Sequence, residues 1–313
     1  MSIKQPSLIL TADWHIRGDA PVCRTDDFLS AQLNKIQQIT HLARKHDCAI
    51  VIAGDIGHRP FWSNKLLTTI ISNLRNCNPP ILVIPGQHDL PGHNLNRIFD
   101  TGLGVLLKSG IIYNLDTTLS TNVTCSDINV HTFPYGEPMA PPTDKTGRRC
   151  IAITHQMVVK DVALWPGQKP LKARGLLRKF PEYDLIVSGD NHQTFVETWK
   201  GRFLVNPGSL MRSSIDQWEH RPSVFLYYAE SNTVEQVFLK VPSAEQVMTR
   251  AHVKNKGSKD DRMNAFVNRL GETGHYSDGQ SFRNNLESFF EKNKVSEKVK
   301  DVIREAVAEC LEE

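Results

Sequence analysis

The sequence predicts an α/β fold with a two-sheet core, and three observations predict it. Short apolar runs recur up to residue 205, each closed by a polar cluster, which is how strands buried on both faces read. The first two runs flank a helical stretch, so the chain opens β-α-β. Past residue 205 the runs turn to alternation, the mark of antiparallel strands completing a second sheet layer.

In chain order, strands are expected at Leu8–Leu10, Ala49–Ile52, Ile81–Ile84, Ile151–Ile153, Leu185–Val187 and Phe203–Val205. Between the first two, Phe28, Leu33, Ile36, Ile39, Leu42 and Ala43 recur with a period near 3.6 and predict a helix from Asp26 to Lys45. A second helix is expected from Phe61 to Asn76 on Leu66, Leu67, Ile70, Ile71 and Leu74, stopped by Asn78-Pro79-Pro80. The alternating strands fall at Val224–Tyr228 and Val234–Val241. From Pro242 the chain turns polar, and Lys254 to Lys259 reads as a linker, so a main domain 1–241 and an extension 242–313 are expected. Within the extension Val295, Val299, Val302, Ile303, Ala306, Val307, Cys310 and Leu311 make one apolar helical stripe, with Ser296 as its N-cap.

Bulk properties narrow the function classes. With 313 residues, 40% of them hydrophobic, the chain can bury one large core plus a smaller unit. A net charge of +3, from 37 basic and 34 acidic residues, is too small to announce a nucleic-acid binder, so any such surface must be a local patch. The cysteines at 23, 48, 77, 125, 150 and 310 have no C-x-x-C spacing, which points away from a zinc knuckle and towards reduced cytosolic thiols. Neither a signal-peptide run nor a membrane-spanning run is present, and a cytoplasmic protein without membrane attachment is expected.

The chemistry lies where the polar clusters sit. Asp13-Trp14-His15, Gly54-Asp55, Gly86-Gln87-His88-Asp89, Thr154-His155 and Gly189-Asp190-Asn191-His192 each follow a predicted strand. In α/β sheets ligands bind beyond the carboxyl ends of strands, so these five tips can meet. Carboxylates and imidazoles without cysteine suit two hard or borderline ions such as Mn²⁺ in an open site. Two such ions can clamp a phosphate ester and activate water. Each cluster alone is weak, because strand ends are generally polar; the ordered set carries the reading.

That order resembles the calcineurin-like metallophosphoesterase superfamily over about residues 7 to 210, and within it the SbcD-type DNA-repair nucleases. The resemblance implies a four-layer αββα sandwich with a small, mainly helical C-terminal extension. It implies that Asp13, His15 and His192 hold a first Mn²⁺, that Asp55 bridges, and that Gln87, His155 and Asp190 hold a second, with Mg²⁺ an alternative. His88 would be the phosphate-contacting acid, Asp89 would orient it, and His58 falls where those nucleases carry a DNA-active histidine. Asn206-Pro207-Gly208-Ser209 echoes their closing motif. Two positions depart from the pattern: Gln87 stands where Asn is usual and Asp190 where His is usual, so an altered second site is expected.

Lys145, Arg148, Arg149, Lys160, Lys169, Lys172, Arg174, Arg178 and Lys179 outnumber Asp144 and Asp161 in one stretch. Such a run is either a DNA track or a solvated face. The expected DNA contacts are Arg17, Arg59, Lys145, Arg148, Arg149, Lys172 and Arg174. Trp14 and Trp165 either stack on bases or pack in the core. By resemblance, the C-terminal helices would bind an SbcC-type coiled-coil ATPase, and a homodimer would form through helices near Asn64–Leu74 and His93–Gly102. The function expected is a DNA nuclease of an SbcCD-type end-processing complex. A phosphatase or cyclic-nucleotide phosphodiesterase, and a non-catalytic DNA-binding scaffold, stay open.

Overall fold

The computed structural model describes residues 5–115, 128–143, 149–162 and 170–251, together with scattered positions between 286 and 303. Six strands form the first sheet: β1 (Leu8–Thr11), β2 (Ala49–Ala53), β3 (Ile81–Ile84), β4 (Tyr113–Asn114), β12 (Ser223–Tyr228) and β13 (Thr233–Phe238), in the order β13-β12-β1-β2-β3-β4. β1 to β4 run parallel, and β12 and β13 add antiparallel on one edge. The second sheet has the order β10-β11-β9-β6-β5, from β5 (Ile128–Phe133), β6 (Arg149–Thr154), β9 (Leu185–Ser188), β10 (Phe195–Trp199) and β11 (Arg202–Asn206). Its strands are parallel except β10. A short pair, β7 (Val158–Val159) with β8 (Leu171–Lys172), stands apart from both sheets.

Strand alternation sorts the core into layers. Leu8, Leu10, Val51, Leu82 and Ile84 of the first sheet meet Ile151, Ile153, Leu185, Val187 and Val205 of the second, all buried between the sheets. Ile9, Ile50, Ile52, Ile81 and Val83 face the other way and bury α1 (Phe28–His46) and α2 (Asn64–Leu74) through Phe28, Ile36, Ile39, Leu66, Ile70 and Leu74. On the far side Ala152, Ile186 and Leu204 pack with Ala173, Leu176 and Leu177 of α4 (Ala173–Lys179). The result is helix, sheet, sheet, helix, the four-layer sandwich expected. Each fully buried Leu or Ile contributes roughly 1.5–3 kcal/mol, so the two-sided strands are its main adhesive.

Local signals set the helix ends. Asp27 accepts from Ser30 N at 3.0 Å to start α1, and Asp47, at φ 46°, ends it in the left-handed conformation. α2 begins three residues later than its apolar period suggests, because Ser63 caps it by accepting from Leu66 N. Phe61 and Trp62 therefore belong to the loop that precedes it. The segment His93–Gly102 is not a regular helix but short 3-10 turns, Pro91–His93 and Leu95–Asp100, leading into α3 (Gly102–Lys108).

The first compact unit runs to His252, past the boundary expected at 241. The reason is α5 (Ala244–Val247), whose Ala244 and Val247 pack with Cys23 and Met248, while Thr249 N donates to Cys23 O at 2.8 Å. Residues 253–313 form a second unit, whose described positions are helical apart from Ser296. Most of the terminal apolar stripe lies outside the described residues, as do Lys145, Arg148, Trp165 and Lys169. Among the described residues, no helix is long and apolar enough to cross a membrane.

Candidate metal centre at the strand tips

Five parallel strands deliver the site. Asp13 and His15 follow β1, Asp55 follows β2, Gln87 and His88 follow β3, His155 follows β6, and Asp190 and His192 follow β9. The loops are stitched to one another before any side chain is considered. Asp13 N donates to Gly54 O at 3.1 Å, His15 N to Asp55 O at 3.0 Å, and Gly189 N to Thr154 O at 3.0 Å.

Three glycines let these loops approach. A Cβ on Gly54 would stand 2.1 Å from His155 Nδ1, one on Gly86 2.1 Å from Asp55 Oδ1, and one on Gly189 2.0 Å from Ala53 O. Gly54, at φ 90°, also needs the left-handed region. Asp13, His15, Asp55 and Asp190 lie in that region too, at φ 49°, 43°, 53° and 76°, although they carry side chains. Four strained residues at one edge of the sandwich are the backbone signature of a functional site.

Several of these side chains are brought together. Ligand atoms of Asp13, Asp55 and His155 lie within 4.8 Å of one another, as do those of Asp13, His15 and His192, and those of His15, His58 and His88. His15 Nε2 is 3.0 Å from His192 Nε2 and 3.7 Å from Asp55 Oδ2, and His155 Nε2 is 3.4 Å from the same oxygen. His155 Nδ1 donates to Ala53 O at 2.7 Å, which turns Nε2 towards the carboxylates and ties the second sheet to the first. Asp13 Oδ2, His15 Nδ1, Asp55 Oδ2, Gln87 Oε1 and His155 Nε2 are buried without a hydrogen-bond partner. Buried lone pairs gathered in this way are costly unless a cation satisfies them, so the donor set fits a dinuclear metal site.

The charged groups of the cluster perturb one another strongly. Burial pushes the Asp13 carboxyl well above its ordinary range. Burial also opposes charge on Asp55 and His155, yet their mutual attraction outweighs it, holding the Asp55 carboxyl below its ordinary range and the His155 imidazole above its own. Burial lowers His15 to about 3 and His58 to about 4, leaving both imidazoles neutral and ready to ligate at neutral pH.

The two departures from the family pattern touch each other. Gln87 Nε2 donates to Asp190 Oδ1 at 2.5 Å, which leaves Gln87 Oε1 and the second Asp190 oxygen for a cation. His88 is held twice, by its N–H on Asp55 Oδ1 at 2.8 Å and by its ring Nδ1 on His58 O at 3.1 Å. The rings of His58 and His88 stack with centroids 5.8 Å apart.

Other expected residues are placed elsewhere. Asp89 does not orient the His88 ring. Its buried carboxylate accepts from Gly57 N at 2.8 Å, Gly86 N at 2.9 Å and Ile56 N at 3.3 Å, bracing the loops after β2 and β3. Arg149 sits at the start of β6, the opposite end from His155, and pairs with Asp184 at 3.0 Å. Arg174 is paired with Glu197 at 2.8 Å and covers the Trp199 ring, while Lys172 is exposed on β8. Trp14 is fully buried, its Nε1 donating to Thr11 Oγ1, and is a core residue. Arg17 and Arg59 do line a cleft beside His58.

Two supporting residues escape a reading by motif. Gln32, polar within the buried face of α1, donates to His15 O at 3.0 Å and accepts from Arg17 N at 3.3 Å. Its place in an apolar period was the available signal. Asn206 donates to Asn191 O and Gln193 O and accepts from Ser188 Oγ, fixing the loop that carries Asp190 and His192.

Comparison with known proteins adds the following. The model of the family described as calcineurin-like phosphoesterase superfamily domain matches residues 7–232. Similar solved structures include protein TT1561 of Thermus thermophilus, at 14% identity and TM-score 0.45, covering 75% of this chain and 100% of that one. A phosphopantetheinyl hydrolase from Mycobacterium tuberculosis aligns at 12% identity and TM-score 0.41, over 76% of this chain and 98% of its own. A novel archaeal phosphodiesterase aligns at 11% identity and TM-score 0.37, over 74% and 99%. No curated protein matches significantly.

Proposed function

Because the chain belongs to the calcineurin-like phosphoesterase superfamily, and is therefore a metal-dependent phosphoesterase, we propose that its substrate is the DNA backbone and that it is a nuclease of the SbcD type. The observation that carries this reading is His58. It joins His15 and His88 in one cluster, its carbonyl holds the His88 ring, and its imidazole borders a cleft lined by Arg17, Arg59 and Lys65. A site for a small monoester has no need of a basic cleft leading away from the reacting phosphate.

Asp13, His15 and His192, with Asp55 between, would hold one ion, and Gln87, His155 and Asp190 the other, as Mn²⁺ or Mg²⁺. Bound there, the ions supply Lewis-acid polarisation of the phosphate and a hydroxide at neutral pH. The chain's own residues do the rest. His58 O fixes His88 Nδ1, so that Nε2 is the atom offered to the phosphate, where it stabilises developing charge and protonates the departing oxygen. A new P–O bond forms from water and the P–O3′ bond breaks, leaving a 5′ phosphate and a 3′ hydroxyl.

The contact between Gln87 and Asp190 supports a second reading, a DNA-binding scaffold whose second ion is too weakly held for turnover. One experiment separates the readings: incubation with Mn²⁺ and linear duplex DNA, in parallel with 4-nitrophenyl phosphate mono- and diesters. Degradation of DNA, lost by about 10²-fold or more in His88→Ala with metal binding intact, is expected. Turnover of the monoester alone would make the protein a phosphatase, and inertness towards every substrate would make it the scaffold.

For partners, the reading keeps an SbcC-type ATPase on the C-terminal helices and a homodimer through α2 and the turns at 93–102, both on the strength of the resemblance. Exposed Phe99 and Val105 support an apolar contact face in the second place.

A further inference from the structure

A cleft of ≈ 370 Å³ opens beside the metal centre, floored by the loop after β1 and the loop between β2 and α2. That is within the roughly 300–1,000 Å³ of ligand pockets. His58 lies in its wall and also in the cluster with His15 and His88, so the cleft borders the candidate site at that residue. Three cations line it, Arg17, Arg59 and Lys65, against one carboxylate, Asp19, which already pairs with Arg17. The balance favours an anionic ligand.

Phe61 gives that ligand a second property. It is 64% exposed at the cleft, although removing a Phe ring from water is favourable. The exposure is built, because both neighbours are anchored. Pro60 O accepts from Gly102 N at 2.8 Å, and Trp62 Nε1 donates to Arg59 O at 2.9 Å. Trp62 itself fills the space that a Cβ on Gly57 or Gly102 would occupy, 2.7 Å and 2.4 Å from its ring. Ser63 then starts α2 at once. These contacts fix the backbone on both sides of Phe61.

A flat apolar ring beside exposed cations, next to a phosphate-hydrolysing centre, suits a ligand that is both planar and anionic. We propose that this cleft is a nucleotide subsite, in which the base next to the scissile phosphate stacks on Phe61 while Arg59, Lys65 and Arg17 hold the adjoining phosphate. The assignment rests on the DNA reading above and deepens it: the enzyme grips an unpaired nucleotide beside the cut, because a base can stack on Phe61 only when it is free of its own duplex.

The test uses the full chain in the His88→Ala background with Mn²⁺, which binds without cutting. Fluorescence anisotropy compares a short single-stranded oligonucleotide with an abasic strand of equal length. Base-bearing DNA should bind more tightly, and Phe61→Ala should weaken it by about 5- to 100-fold while leaving the abasic strand nearly as before. Phe61→Trp should restore the preference, and Arg59→Gln should weaken both strands and flatten the salt dependence. Phe61 is exposed, so Phe61→Ala should melt with its parent.

An unchanged ratio of base-bearing to abasic binding in Phe61→Ala, with wild-type protein still degrading DNA, would overturn the subsite alone. Hydrolysis of small diesters without binding or cleavage of any oligonucleotide would overturn the nuclease reading and the subsite with it. Preference for an acidic, aromatic-bearing peptide over both strands would assign the cleft to a protein ligand instead.

Discussion

Asp13, His15, Asp55 and Asp190 hold backbone torsions that cost on the order of 1–3 kcal/mol each, and they do so side by side. A fold tolerates such strain where surrounding contacts over-determine it, as the bonds to Gly54, Asp55 and Leu210 do here. Gln87 and Asp190 belong to the same neighbourhood, and because they are 2.5 Å apart a second ion held by both would feel them as a pair. Gln87→Asn shortens the amide by one methylene and should break that contact, and Asp190→His should replace a hard anionic oxygen by a nitrogen. Each single variant is expected to shift affinity for the second equivalent of Mn²⁺ in isothermal titration by about tenfold or more, with coupling in the double variant. Affinity and rate both unmoved in the single variants would show that these residues take no part in the second site.

At the scale of elements, α1 carries a liability. Lys35 is buried on its inner face, and among the described residues its ammonium meets Met211 Sδ at 3.1 Å and Ala31 O at 3.5 Å. Burial lowers it to about 8, with Arg24 and Arg212 pushing the same way. Such a shift corresponds to a folding penalty on the order of 3 kcal/mol while the group is charged in both states. Between about pH 8 and 10.5 the unfolded chain binds the proton and the folded chain does not, so stability rises with pH through that window. Lys35→Met is therefore expected to be the more stable protein at pH 7, by roughly 1–3 kcal/mol in denaturant unfolding, with the gain shrinking towards pH 10. An equal gain at both pH values would refute the buried-charge explanation.

Which elements could be read from the sequence follows the same physics. β1, β2, β3, β6 and β9 are buried on both faces, and their unbroken apolar runs announce them. β5 and β10 lie at a sheet edge with half-exposed faces, and Ile128–Phe133 and Phe195–Trp199 mix polar and apolar residues without a clear period. The extent of the first unit was hidden because α5 buries only a few side chains within a polar stretch. The position of the candidate donors was legible because each follows a legible strand. The role of Asp89 was not, since its sequence neighbour is His88 whereas its carboxylate faces three backbone N–H groups. Nor does sequence spacing reveal that Arg149 and Arg174 already have carboxylate partners.

At the scale of the first unit, the two large sheets bring their strand tips to one edge. A pair of ions bound only by the folded arrangement should stabilise it by mass action, by about 2.7 kcal/mol per site at a hundredfold excess over the dissociation constant. Mn²⁺ is expected to raise the melting temperature by several degrees and a chelator to reverse the gain, with Asp55→Ala insensitive to both. Equal melting of the wild type with and without the ion would contradict the dinuclear assignment.

The hydrogen bond from His155 to Ala53 gives that expectation a direction. It is a clasp closed across the two halves of the sandwich at the spot where the ions would sit. Whatever pries the halves apart, even a bulky change deep in the interior far from any phosphate, loosens the clasp. Catalysis and cohesion then rise and fall together.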